Sequence, residues 1–159
     1  YMGTKPIKRH EAIKPYSREH HHGLLLCWKI REGLKREIAI DRIKKYADFL
    51  WETQIEPHFK AEEKYMFPVL GDEHEMIQQA KKEHIRLAEL FNDNTNVLES
   101  LKSIQTELDE HIRFEERILF NKIQEVATAD ELKIIDQHHE ILNSEHWEDS
   151  FWEEFKKKK

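Results

Sequence analysis

Between Val97 and Ile118 the apolar residues recur at intervals of three and four, through Leu101, Ile104 and Leu108, with His111 and Glu115 taking two of the same inward positions. That spacing forms a single stripe only on an α-helix, because a strand alternates with a period of two. The stripe therefore carries an imidazole and a carboxylate toward the core. An ionised carboxylate without a partner is costly to bury, so it protonates, finds a counter-charge or binds a metal. The rest of the chain has to supply what His111 and Glu115 need.

The same period runs through three further segments. Ser17 reads as the N-cap of a helix to about Ile38, with His20, Gly23, Leu24, Cys27, Ile30, Leu34 and Ile38 inward. Asp41 reads as the cap of a second helix through Ile43, Leu50 and Ile55, and Pro57 predicts a kink or break just before His58. Beyond it the stripe continues through His58, Glu62, Tyr65 or Met66, and Val69, until Pro68 and Gly71 end the helix. Asp72 reads as the cap of a third helix carrying Ile77, Ala80, His84, Leu87 and Phe91, and Asn92 to Asn96 is a turn by composition. The fourth helix extends to about Glu125. Thr128 with Glu131 forms a capping box for a short fifth, and Trp147, Phe151 and Trp152 are expected to pack on the bundle.

Four glycines and four prolines are too few for an all-β chain, which needs a turn signal every ~8 to 12 residues. The expected fold is all-α, an antiparallel up-down-up-down four-helix bundle with a short extra C-terminal helix. Residues 1–16 form an N-terminal arm, 17–125 the bundle, and 126–159 a helix and tail packing on it. A net charge of -6 with both signs interspersed offers no basic face for nucleic acid. No apolar run approaches the ~20 residues that span a bilayer, so no membrane partner is expected. The single Cys27 suits a reducing, cytoplasmic setting and reads as a small buried filler.

Two His-x-x-x-Glu pairs, His58 with Glu62 and His111 with Glu115, place both side chains on one helical face. Glutamate is so abundant that eleven histidines give about two such pairs by chance, so the spacing alone decides nothing. Register decides. Each of the four helices has a histidine on its stripe, and residues on neighbouring antiparallel helices share a level when they lie equally far from the connecting turn. His58 and His84 are centred on Gly71, His20 and His58 on Ala39, and His84 and His111 just past the asparagine turn. The remaining offsets amount to about one helical turn, ~5 Å.

His20, His58, Glu62, His84, His111 and Glu115 thus form the candidate metal site, with His21 as the alternate for His20 because helix starts are uncertain by a residue or two. Four imidazoles and two carboxylates exceed what one tetrahedral zinc needs and suit two first-row metals bridged by the glutamates. Nitrogen and oxygen donors without thiolate point to iron, with manganese or zinc as alternatives. Glu63 and Glu116 rotate away from this face and read as solvated, and His10, His74, His138, His139 and His146 as surface or structural. Leu24 to Trp28, Met66, Phe67 and Phe120 read as core.

The order His, His-x-x-x-Glu, His, His-x-x-x-Glu resembles the hemerythrin family of cation-binding four-helix domains, in its bacterial hemerythrin-like branch. The matching text is Ser17 to Leu24, Pro57 to Glu63, Glu83-His84 and His111 to Arg117, within roughly residues 15–125. The resemblance implies a non-heme diiron centre, oxo- or water-bridged, with His20 and His58 on one iron, His84 and His111 on the other, and Glu62 and Glu115 as bridges. It also implies a small diatomic ligand, oxygen or nitric oxide, bound for sensing, storage or delivery. An oxygen- or peroxide-activating enzyme and an iron-responsive interaction module are the alternatives. Oxygen-carrying hemerythrins have a further histidine one turn before the position of His84, where this chain has Ala80. His74, ten residues away and ~15 Å along the axis, cannot replace it.

Overall fold

The computed structural model describes residues 8–142 and 146–157, and among these all regular secondary structure is helical, with no strand. The first long helix is α1 (Lys14–Lys35). The second run is continuous from α2 (Ile40–Leu50) through a π-helical turn (Trp51–Ile55), α3 (Glu56–Ala61), a second π-turn (Glu62–Met66) and a 3₁₀ turn (Phe67–Val69). After it come α4 (Glu75–Phe91) and α5 (Val97–Phe114), which passes through a third π-turn (Glu115–Leu119) into α6 (Phe120–Val126). The C-terminal α7 (Ala129–His138) and a 3₁₀ segment (Phe151–Lys157) complete the described chain. No described helix is long and apolar enough to cross a membrane.

Helix starts depart from the simplest capping reading. α1 begins three residues before Ser17, because Pro15 fits a first helical turn and Ala12, Ile13 and Tyr16 are buried and hold that turn against the body. Ala39, not Asp41, precedes α2. α4 is capped by His74, whose Nδ1 accepts from the Met76 N–H at 3.1 Å, so Asp72 is not the cap. The Thr128 to Glu131 capping box forms as expected, with bonds of 3.1 and 2.9 Å, and such a cap contributes about 1 kcal/mol to a short helix. Pro57 does not break its helix. The π-turn immediately before it takes up the bonding mismatch of a residue that has no N–H to donate, and the chain stays helical to Met66. Gly71, at φ +89, then makes the turn.

α1 and α4 each pack against α5. Gly23 lets α1 approach closely: a Cβ there would sit 2.6 Å from the Ile112 Cδ1. Two apolar clusters flank the level of the four stripe histidines. One gathers Leu26, Ile30, Ile43, Leu50, Phe91, Leu101 and Leu108, and the other Tyr16, Met66, Phe67, Ala80, Leu119, Phe120 and Ile135. Trp28 is an exception to the expected core, being 40% exposed.

The C-terminal segment does pack back on the helices. Arg42 makes a forked pair with Asp149 at 2.9 and 2.7 Å, Phe151 is fully buried, and Trp147 stacks on Phe49. Beneath it, Lys29 is 7% exposed, with Nζ 3.0 Å from the Tyr46 hydroxyl and 3.4 Å from the Trp152 ring centre. Burial lowers the Lys29 pKa to about 8. The unfolded chain then binds more protons than the folded one between about pH 8 and the ordinary lysine value of about 10.4, so folding stability rises with pH across that window. Lys29→Met, an apolar replacement of similar length, is expected to unfold at higher urea than the wild type at pH 7 and to lose the rise above pH 8. Urea titrations at several pH values check this, and an undiminished rise in the variant would refute it.

Candidate metal centre

His20, His58, His84 and His111 come together with Glu62 and Glu115, all six at most 5% exposed. His21, the alternate, lies on the outer face of α1 and is exposed. The six form two overlapping groups, His20, His58, Glu62 and Glu115, and Glu62, His84, His111 and Glu115. In each, one ligand-capable atom per residue lies within 4.8 Å of every other. Both carboxylates belong to both groups.

The oxygens divide between the groups. Glu62 Oε2 faces His58 Nε2 at 2.8 Å, and its Oε1 faces His84 Nε2 at 3.2 Å. Glu115 Oε1 faces His20 Nε2 at 2.8 Å, and its Oε2 faces His111 Nε2 at 3.0 Å and His84 Nε2 at 3.5 Å. Four buried atoms on the second side, Glu62 Oε1, Glu115 Oε2, His84 Nε2 and His111 Nε2, make no hydrogen bond. Polar atoms without such a bond at this depth are costly, and a cation placed among the four would satisfy them together.

The outer edge of each imidazole is held as well. Nδ1 of His20 lies 2.6 Å from Glu116, that of His58 2.7 Å from Glu19, that of His84 2.7 Å from Glu63, and that of His111 2.6 Å from Glu83. A carboxylate at each Nδ1 fixes the proton there and turns the Nε2 lone pair inward, the tautomer a metal needs. Each helical run reaches the next: Glu19 beside His20 holds His58, Glu63 beside Glu62 holds His84, Glu83 beside His84 holds His111, and Glu116 beside Glu115 holds His20. The four contacts close a ring around the centre. Glu63 and Glu116 are therefore not merely solvated, because their long side chains reach sideways to the adjacent run.

The ring walls are apolar. Phe59 stacks on His84 with centroids 3.8 Å apart, Phe67 lies on its other side at 5.6 Å, and Phe120 stacks on His20 at 5.1 Å. Ala80, fully buried, sits in the apolar cluster beside this level. Burial opposes charging His20 and His84, yet the nearby Glu115 and the other carboxylates win and hold both well above the usual imidazole range. His58 is likewise raised, to about 9, against its burial by Glu62 and Glu19. Burial would protonate Glu115, but His111, His20 and His84 keep it well below the ordinary carboxylate range. These shifts favour protonated imidazoles beside ionised carboxylates, and a cation bound among them would displace the inner protons. Cys27, by contrast, is pushed up to about 12 by burial and stays a protonated filler.

A family model described as the hemerythrin HHE cation binding domain matches residues 11–123. The chain belongs to this family. The match covers all six inward residues and the four outer carboxylates, and a hemerythrin HHE domain is a cation-binding unit by its description. No curated protein and no solved structure matches the chain significantly. α7 and the C-terminal segment lie outside the match. There, His138 stacks on Tyr65 at 4.6 Å and His139 bonds to Glu19 at 2.8 Å, so neither is a free surface group. The outer ring did leave a trace in the sequence, since Glu precedes the ligand-type histidine at Glu19-His20 and Glu83-His84, and a doublet closes the motif at Glu62-Glu63 and Glu115-Glu116. His139 left none, because only tertiary packing brings it to Glu19.

Proposed function

We propose that this hemerythrin HHE chain binds two iron ions, one at His20 and His58 and one at His84 and His111, bridged by Glu62 and Glu115. The observation that carries the proposal is the division of each carboxylate, one oxygen to each histidine pair, with four buried atoms on the second side that make no hydrogen bond. The same reading takes the four long helical runs as an up-down-up-down antiparallel bundle, with 1–16 an arm, 17–125 the metal unit and 126–159 packing on it. A reducing, cytoplasmic location agrees with the protonated, buried Cys27 thiol.

The role we propose is binding of a small diatomic ligand, oxygen or nitric oxide, for sensing, storage or delivery. Two histidines and two shared carboxylates give each ion four protein donors, fewer than an octahedral ion takes, which leaves positions for a small molecule. A reduced iron pair supplies the electrons that such a ligand draws on binding. The chain's own residues do the rest: Phe59, Phe67 and Phe120 exclude water, and the outer carboxylates hold the imidazoles in their metal-binding tautomer. Ala80 adds a methyl group where oxygen carriers of the family place another histidine, so the third helix contributes one donor here, and sensing fits this centre as well as carriage does.

Metal analysis of the purified full chain is expected to give two iron ions per chain after anaerobic reconstitution. Oxygen added to the reduced protein should produce an absorption band that disappears on degassing. Fewer than one ion per chain sinks the metal reading. Irreversible bleaching with steady consumption of reductant replaces the ligand-binding role with an oxygen-activating one.

A further inference from the structure

The end of α7, beyond the residues matched to the family, reaches the outer ring at the corner of Glu19. His139 Nε2 lies 2.8 Å from Glu19 Oε2, while the other oxygen of the same carboxylate holds His58 Nδ1 at 2.7 Å. The His139 side chain is 13% exposed, and its ring meets Tyr16 edge-on at 4.9 Å. Its neighbour His138 stacks on Tyr65, and its Nδ1 lies 3.0 Å from the Ile134 carbonyl oxygen. An open cleft of about 310 Å³, lined by Lys60, Lys64, Tyr65 and both histidines, brings water to this corner. Of the other outer carboxylates, Glu116 is backed by Arg9 at 3.3 Å and Glu83 by Gln79 at 3.0 Å, while Glu63 bonds to His84 alone among the described residues. Among the described residues, none but Glu19 is held by the C-terminal segment.

A carboxylate anchored through one oxygen can still rotate about its last torsion, and beside a cleft open to solvent it has competing partners. Anchoring the second oxygen removes that freedom, so Glu19 keeps the His58 ring aimed inward. We propose that His139 is a positioning residue for the metal position formed by His20 and His58, acting through Glu19. Occupancy of that position, and not of its neighbour, then depends on the docked C-terminal helix. The proposal rests on the two-metal reading above.

Outer partners of metal-bound histidines are worth roughly 10- to 100-fold in metal affinity, and His139 acts one bond further out, so about tenfold is expected. The test is titration of cobalt(II) into the metal-free full chain, followed by its visible absorption and by chelator competition. His139→Ala should weaken one of two binding steps about tenfold and leave the other at its wild-type value. His139→Gln, whose amide N–H can donate to the same oxygen, should restore most of the loss. His138→Ala, which removes the stack on Tyr65 and no carboxylate bond, should keep both steps. In a His58→Ala background, His139→Ala should leave the one remaining step unchanged. Equal weakening of both steps, no weakening, or a His138→Ala variant that behaves like His139→Ala would each overturn the proposal. A wild-type chain that takes up no cobalt removes the metal reading and this proposal with it; two wild-type steps that His139→Ala leaves intact remove this proposal alone.

Discussion

Glu115→Gln is expected to empty both proposed metal positions at once. Glu115 is fully buried and meets His20 through one oxygen and His84 and His111 through the other, so a neutral amide withdraws charge from both groups in one step. His84→Ala, by comparison, strips one group of its own histidine and should leave about one ion per chain. Truncation has a second effect even without metal. Glu115→Ala leaves buried imidazolium groups without their counter-charge, and breaking a buried pair by removing one partner costs about 3–5 kcal/mol. For a chain of this size each kcal/mol shifts the melting temperature by roughly 2–4 °C, so a fall of about 10 °C is expected in the metal-free protein. Metal analysis and calorimetry measure the two effects separately. Glu115→Gln protein that retains two ions would refute the bridge.

The second large effect is opposite pH dependence in the metal-free and loaded forms. In the metal-free protein the folded-state pKa values of His20, His58, His84 and His111 are all raised, with His58 near 9. Folded chains therefore bind more protons than unfolded ones above the ordinary histidine value of about 6.5, and stability falls as pH rises from there through about 9. Glu62 and Glu115 are shifted the other way, so their contribution is lost only as pH falls below about 4.3. A loaded centre replaces the inner imidazole protons with metal, which removes the alkaline decline and makes loading release protons. At a thousandfold excess of free metal over its dissociation constant, loading adds about 4 kcal/mol. Melting curves from pH 6 to 9 with and without iron(II), and proton release on titration in a weak buffer, give the comparison. A metal-free protein as stable at pH 9 as at pH 6.5 would contradict the ion-paired centre.

The six inward residues were legible because a helical stripe is a strong constraint and a charged group on it must be partnered. Turn positions were nearly as clear, since Gly71, Pro68 and the asparagine cluster have few alternative uses. Helix starts were harder: His74 caps α4 in place of Asp72 because an imidazole nitrogen can accept the same bond, a choice that composition does not reveal. The stripe itself slipped beyond the site. A regular helix sends Ile118 inward, yet Ile118 is 47% exposed and Leu119 is fully buried. The π-turn that begins at Glu115 supplies the missing residue. Glu63 and Glu116 were misread for a related reason, because rotation about their own axis said nothing of the neighbouring run they touch. His139 needed the docking of a segment whose position no local pattern encodes.

Those π-turns have a consequence in chain length. Each run that carries a His-x-x-x-Glu pair gains a one-residue surplus in a π-turn that starts at the glutamate of the pair, Glu62 or Glu115. Remove that residue on paper, and Met66 or Leu119 falls three positions after the glutamate, where an unbroken α-helix would bury it anyway. Next to the centre, the mismatch with an ordinary helix falls in the turn that begins at Glu62 and at Glu115. Sequences aligned on their cores alone would place a one-residue gap there, next to the two glutamates that matter most.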